Sequence, residues 1–386
     1  MFVSLRGVEI YKTIGFKDIA LIYGDTEQSY QKTAQLINRI RHQEQGGTPS
    51  RTLHDCTEKE GKDALSYIDE RARCILAKNG FSEDGTCEDI KPEYNNKRPV
   101  TIPKEQVILE IDKFCLDKDI SAENILSNPV PYENPESSTQ ISIDDVNVKK
   151  QEEFRPGGIK LERGKRKYIH NTIAHISKKD IGKYVLNGHG IKNVLLFLTA
   201  FLFHNGLTSD RIQFFTDGHK VLNDTILKSF SWYKNIGIIL DWYHLEKKCK
   251  EQLSMALKGR FIRNEILDKL KPLLWYGLID EAVVYLEEID KDSIKKMETL
   301  DKLIKYLRRN KPYIPCYAVR KGLGLCNSSA IGEKMNDLVV SSRQKHNGMS
   351  WSKAGSVSLA TITVLKRNKE NDKWFETKCL NFKLAA

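Results

Sequence analysis

RIQFFTDGHKVLND (211–224) and NIGIILDWYHLEKK (235–248) have the same construction. Each opens on a short apolar run, 212–215 in one and 236–240 in the other, and each run leads into a carboxylate, Asp217 and Asp241. A segment with helical spacing follows both. Apolar runs this short, bounded by polar residues, predict buried strands of an α/β sheet. Ligand and catalytic groups of such sheets gather at the carboxyl ends of the strands. Asp217 and Asp241 therefore fall where chemistry is expected.

Upstream, STQISIDDVNVKKQ (138–151) predicts another strand through Ile141, Ile143, Val146 and Val148, with Asp144 and Asp145 in its middle. Aspartate is depleted in strands, and two readings account for the pair. One is a bulge or strand end facing solvent; the other is a metal-binding carboxylate. GKRKYIHNTIAHIS (164–177) suits a second strand, LNGHG (186–190) reads as a turn, and the apolar run 194–203 reads as a buried helix. Three strands as a meander, then helix, strand, helix, strand and helix is the order of an RNase H-like α/β fold with a mixed sheet.

The rest of the chain divides around this core. Residues 1–65 read as mainly helical. SYQKTAQLINRIRHQ, a Gly-Gly stop and a second start at Thr48-Pro49-Ser50 suit either a helix-turn-helix carrying Arg51 or an ordinary helical hairpin. Residues 66–137 read as a helical and linker region, closed by the proline-rich NPVPYENPESS (128–138). The core occupies 138–256, and 257–325 reads as an all-helical insertion with stripes at Leu278, Ala282, Val283, Leu286 and at Leu300, Leu303, Ile304, Leu307. A strand is admitted only at 313–319. Residues 326–386 return to the core with a helix carrying Glu333 and Asp337, then a C-terminal tail that begins apolar and ends basic.

Composition narrows the partners. Of 386 residues, 62 are Lys or Arg and 51 Asp or Glu, a formal charge of +11. This excess favours a polyanion, nucleic acid before membrane. The eight cysteines form no C-x-x-C pair, so a zinc ribbon is not supported, and their scatter suits reduced thiols in a cytoplasmic protein. The opening MFVSLRGVEI lacks the apolar region of a secretory signal, and 194–203 is too short to span a bilayer.

Three carboxylates stand out as a candidate centre: Asp144 on the first strand, Asp217 after the fourth, and Glu333 on the late helix. First and fourth strands are neighbours in an RNase H-like sheet, so their acids can face one another. Three hard oxygen donors suit Mg²⁺ or Mn²⁺. Two such ions would activate the attacking oxygen and stabilise the leaving one in displacement at phosphorus. Plainer readings stand beside this: Asp217-Gly218 as a turn, His244 as a helix-start residue bonded to Asp241, and Arg343 and Lys345 as a solvated face. Arg343, Lys345 and His346 beside Trp351 also suit contacts to phosphates with stacking on a base.

Four passages resemble bacterial insertion-sequence transposases of the DDE type, in the Mutator-like assemblage and most like its ISLre-type group. ISIDDVNVKKQ (141–151) resembles their first-aspartate strand and FFTDGHKVL (214–222) their second-aspartate motif. LDWYHLEKK (240–248) resembles the element that follows, C-x-x-H in many relatives, with Asp241 and His244 in its two positions. SSAIGEKMNDLVVSSRQKHNGMSW (328–351) resembles the glutamate helix with its basic tail. The match covers about 138–355 and reaches more loosely to TPSRTLHDCTEKEG (48–61).

The resemblance implies Asp144, Asp217 and Glu333 as metal ligands, with Asp145 as the alternative first ligand, and Asp241 and His244 in support. It implies double-stranded DNA as partner, both element ends and target. It further implies a homodimer or higher oligomer on DNA and a bacterial, nucleoid-associated location. The rival expectations are an inactive or domesticated DNA-binding protein and a metal-dependent nuclease that cuts without joining strands.

Overall fold

The computed structural model describes residues 29–43, 47–83, 85, 87, 99–115, 122–151, 167–345 and 349–385. Its centre is one five-stranded mixed sheet: β1 (Ser138–Lys149), β2 (Tyr168–Lys178), β3 (Gly182–His189), β4 (Arg211–Thr216) and β5 (Ile236–Leu240). The strand order is β3-β2-β1-β4-β5. β1, β2 and β3 form an antiparallel meander, and β4 and β5 add in parallel beside β1. All six residues of β4 are buried, as an apolar run in the middle of a covered sheet requires.

Among the described residues, four α-helices precede the sheet: α1 (Tyr30–Ile40), α2 (Ser50–Lys78), α3 (Lys104–Cys115) and α4 (Ala122–Leu126). Side chains of the strands alternate between two faces. Ile141, Ile143, Ala174, Ile176, Tyr184, Leu186, Ile212, Phe214 and Ile238 pack on one face, against α5 (Ile191–His204) and α6 (Lys220–Ser229). Helix α2, from the N-terminal side, and α13 (Lys353–Arg367), from the C-terminal side, add Ala64, Ile68, Ile362 and Leu365 to the same cluster. On the other face Phe215, Ile239 and Leu240 pack against the helical insertion: α7 (Trp242–Ala256), α8 (Arg260–Trp275), α9 (Ile279–Glu287) and α10 (Met297–Asn310). The next helix, α11 (Tyr317–Gly322), packs Val319 against Val107 and Ile111 of α3 and Ile125 of α4. Val146, Val148, Ile169, Ile173 and Val185 meet α12, which begins at Ala330–Asn336 and continues through a π turn, Asp337–Ser341, into Ser342–Gln344.

Several expectations change. LNGHG is not a turn: 186–189 is the end of β3, held by the pairs Leu186↔Ala174 and Asn187↔Ile173. The segment around 313–319 holds no strand, and α11 begins within it. The division at residue 65 falls inside α2, a single helix of 29 residues. Near its middle Gly61 lies so close to the Ser358 backbone of α13 that a Cβ would collide. The second helix of the segment read as a helix-turn-helix or a helical hairpin is therefore a core helix, packed against α1 as well. The C-terminal tail is core as well. α13 is buried from Gly355 to Leu365, and Trp374 on α14 (Asn371–Thr377) and Phe382 are buried after it.

Candidate functional site

The last paired residues of β1 and β4 are Ser142 and Phe215. Asp144 stands two residues further along β1, and Asp217 two residues further on, just past the end of β4, so the shared register brings the two positions to one level on neighbouring parallel strands. Asp145, the alternative, turns to the other face, is exposed, and accepts from the Thr172 hydroxyl.

Asp144 is held from two sides. Its Oδ1 accepts from the Asp145 N–H at 2.7 Å and its Oδ2 from the Asn336 amide at 2.8 Å. Burial pushes the carboxyl up to about 6; the Asp145 N–H opposes that, the Asp217 charge adds to it, and His244 opposes it again.

Asp217 closes β4 through a turn that the insertion grips. Its Oδ1 accepts from the His219 N–H at 2.8 Å. Tyr306 donates its hydroxyl to the Asp217 carbonyl at 3.0 Å, and Arg309 donates to the Gly218 carbonyl at 3.1 Å. Gly218 has φ +76°, and a Cβ there would stand 2.7 Å from Leu240 Cδ1. The turn reading and the carboxylate reading of Asp217-Gly218 are thus compatible.

Glu333 arrives on α12. Gly332 seats that helix against β1, since a Cβ at this position would collide with the Ser142 hydroxyl, two residues before Asp144. Glu333 Oε1 lies 3.2 Å from His244 Nε2. Asp337 is exposed on the π turn, whereas Asn336, three residues after Glu333, reaches Asp144. The pairing of Glu333 with Asp337 by helical spacing passes over Asn336, although its i,i+3 spacing from Glu333 is a signal of the same kind.

Asp241 plays a different part. It is 1% exposed and caps α7, accepting from the N–H groups of Tyr243 at 2.8 Å and His244 at 3.2 Å. It also accepts from the Ser329 N–H, from Ser329 Oγ at 2.6 Å and from Ser328 Oγ at 3.3 Å. This carboxylate fastens the end of β5 to the start of the glutamate helix. The expected bond from His244 to Asp241 is present through the backbone, which leaves the His244 ring for Glu333.

Asp144, Asp217, His244 and Glu333 thus share one end of the sheet, but their ligand atoms do not all lie within 4.8 Å of one another. Among the described residues, the one group of acids, histidines or cysteines that close is His54, Asp55 and Glu58 on α2. Its members pair among themselves and with Arg51 and Ser352.

The expected DNA contacts divide. Arg343 and Trp351 are buried, 3% and 8% exposed. The Arg343 guanidinium lies over the Tyr30 and Trp351 rings, 5.2 Å from each, and Trp351 donates Nε1–H to the Gln344 carbonyl at 3.1 Å. Trp351 also bonds through its backbone to Lys149 and Gln151. These two side chains lock the end of α12 to β1, and neither offers a surface to bases. Lys345 is exposed, and so is Arg51, which pairs with Asp55 at 2.8 Å. His346 lies outside the described residues.

No protein-family model and no curated protein matches the chain. No helix among the described residues is long and apolar enough to cross a membrane.

Proposed function

We propose that this chain is a DNA-cleaving and strand-joining enzyme, a transposase of the DDE type on an RNase H-like sheet. The observation that carries this reading is the placement of Asp144 within β1 and Asp217 just past β4, on adjacent parallel strands in shared register, with Glu333 of α12 meeting His244 at the end of β5. The strand order β3-β2-β1-β4-β5, with a helical insertion between the second aspartate and the glutamate, supports the same fold.

The donor set fits a hard divalent cation. Asp144 is partly buried, next to Asp217, and its charge is disfavoured where it stands, which a cation would reverse. Asp144, Asp217 and Glu333 would hold Mg²⁺ or Mn²⁺, which when bound supplies positive charge to the phosphate oxygens and to the attacking hydroxyl or water. The protein's own groups set the geometry. Asn336 and the Asp145 N–H fix the plane of the Asp144 carboxylate. His219 N–H fixes Asp217, and Tyr306 and Arg309 hold the loop beneath it. His244 orients Glu333. Asp241 keeps α12 in register with the strand ends.

The test is cleavage of duplex DNA carrying the ends of the flanking element, with Mg²⁺ or Mn²⁺. Wild type cuts and then joins the freed 3′ end to a second duplex. Asp217→Asn lowers both steps by about three orders of magnitude or more, a loss of roughly 4 kcal/mol in transition-state stabilisation, with DNA affinity retained. Cleavage at wild-type rate by that variant would sink the assignment, and cutting without joining would make the chain a nuclease.

A further inference from the structure

The insertion carries cations in two different states. Lys269, Lys271, Lys302, Arg308 and Lys311 each sit in an ion pair, with Glu265, Glu246, Glu298, Glu287 and Asp280. Along one edge the pattern stops. Lys247, Lys250, Lys258, Arg260, Arg263 and Lys295 have no carboxylate partner among the described residues; Arg263 bonds only the neutral Ser254 and Asn264. Four of them, Lys258, Arg260, Arg263 and Lys295, line a cavity of about 460 Å³ whose wall holds no acid. Lys247 and Lys250 line a second hollow, which shares Ser254 with the first and includes Glu251.

The second hollow lies along α7, the helix whose first turn carries His244. Tyr243, Lys247, Lys250 and Ser254 recur on α7 at i, i+4, i+7 and i+11, which is one helix face. That face starts beside His244 and runs roughly 15 Å to Ser254, at 1.5 Å per residue. Apolar groups stand exposed along it: Tyr243 at 46%, Met255 at 48% and Phe261, the most exposed large apolar side chain described, at 81%. Lys247 lies over the half-exposed Tyr243 ring, 5.7 Å from its centroid. Cations without carboxylate partners, interspersed with exposed aromatic rings, are what a flexible polyanion with flat apolar bases requires.

We infer that this edge of α7 and α8 is a track for an unpaired DNA strand leaving the carboxylate site. The cations of the track meet successive phosphates, and Tyr243 and Phe261 stack on bases. A fully paired duplex has its bases stacked internally and offers those rings nothing. The inference deepens the proposed function and rests on it, since it takes the carboxylate site as the place where the strand is cut.

Its test uses binding in EDTA, where no cutting occurs, so the two readings fail separately. A fluorescein-labelled oligothymidylate is titrated into the full chain at several salt concentrations, alongside a labelled duplex. The variant Lys258→Ala/Arg260→Ala/Lys295→Ala/Phe261→Ala is compared with a control that removes paired cations, Lys269→Ala/Lys302→Ala. The track variant should lose at least tenfold in single-strand affinity, with a shallower salt dependence of about 0.7 in slope per lost phosphate contact. The control should bind as wild type. Acetylation of lysines, read by mass spectrometry on wild type, should show Lys247, Lys250, Lys258 and Lys295 protected by the oligonucleotide, with Lys269 and Lys302 unprotected. Equal losses in track and control variants, or unchanged acetylation with DNA bound, overturn the proposal. So does an edge whose substitution abolishes binding to phosphatidylserine vesicles and leaves oligothymidylate binding intact.

Discussion

Two aspartates flank β4. Asp210, before it, is 5% exposed and accepts from Thr139 Oγ1 at 2.8 Å and Lys178 Nζ at 2.5 Å. Asp217, after it, accepts one backbone N–H and stands beside Asp144, and neither of these two meets a Lys or Arg in the described residues. The same contrast holds between Asp144 and Glu133, which is fully buried yet pairs with Arg320 at 2.5 and 2.6 Å. Buried charge is tolerated when a partner is folded in with it. At one end of the sheet the chain supplies that partner; at the other Asp144 and Asp217 meet no Lys or Arg among the described residues, and Glu333 meets the His244 ring.

The compensated side of this contrast should show the largest loss when broken. Arg320→Met takes both charge-assisted hydrogen bonds from the buried Glu133 carboxylate and should cost about 3–5 kcal/mol in urea denaturation. A loss below about 1 kcal/mol would show that the pair is not what holds that region. Next comes the cation. For wild type at pH 8, Mg²⁺ at a hundred times its Kd should add about 2.7 kcal/mol of stability, visible as a higher Tm. Asp217→Asn should lose most of that gain; an undiminished response would place the ion elsewhere, with His54, Asp55 and Glu58 the first place to look.

Asp144→Asn sharpens the comparison from the other side. The folded carboxyl titrates at about 6 against an ordinary value of 3.8, so the folded state holds the proton more tightly. The ionised form therefore costs stability: nothing below the unfolded value, more as pH rises through the window, and a constant amount above about 6. The variant should equal wild type near pH 3 and exceed it by roughly 1–3 kcal/mol at pH 8 without divalent ions, while losing cleavage. A less stable variant at pH 8 would mean that Asp144 is compensated after all. The smallest effect belongs to the surface. Arg51→Ala removes an exposed pair with Asp55 and should change stability by less than about 0.5 kcal/mol.

Much of the sheet is legible because strand burial leaves a direct mark on sequence. The runs before Asp217 and Asp241, and the alternation through Ile141, Ile143, Val146 and Val148, report which faces are covered. The end of β3 is hidden because Asn187 and Gly188 look like turn residues. Gly188 instead sits in the strand against the start of α5, where a Cβ would lie 2.5 Å from Asn193 Oδ1 and 3.0 Å from Val194 Cγ2. The continuity of α2 past residue 65 is not marked locally either, because what holds its middle is a distant contact, Gly61 against the Ser358 backbone of α13. The buried C-terminal helix reads as a tail because its apolar, small-residue face has meaning only against α2 and the sheet.

The sequence alone determined that acids follow the buried runs, because strand period and apolar content are local properties of a few consecutive residues. Local pattern alone treats Asp217 and Asp241 alike, each following a buried run; the reading that set Asp217 in the candidate centre and Asp241 in support came from the resemblance. Only the tertiary structure shows how their surroundings differ: Ser328 and Ser329 come to Asp241 from elsewhere in the chain, whereas among the described residues Asp217 accepts from the His219 N–H next to it in sequence. Whether a carboxylate is occupied or available depends on what surrounds it, and those neighbours are assembled only when distant segments pack.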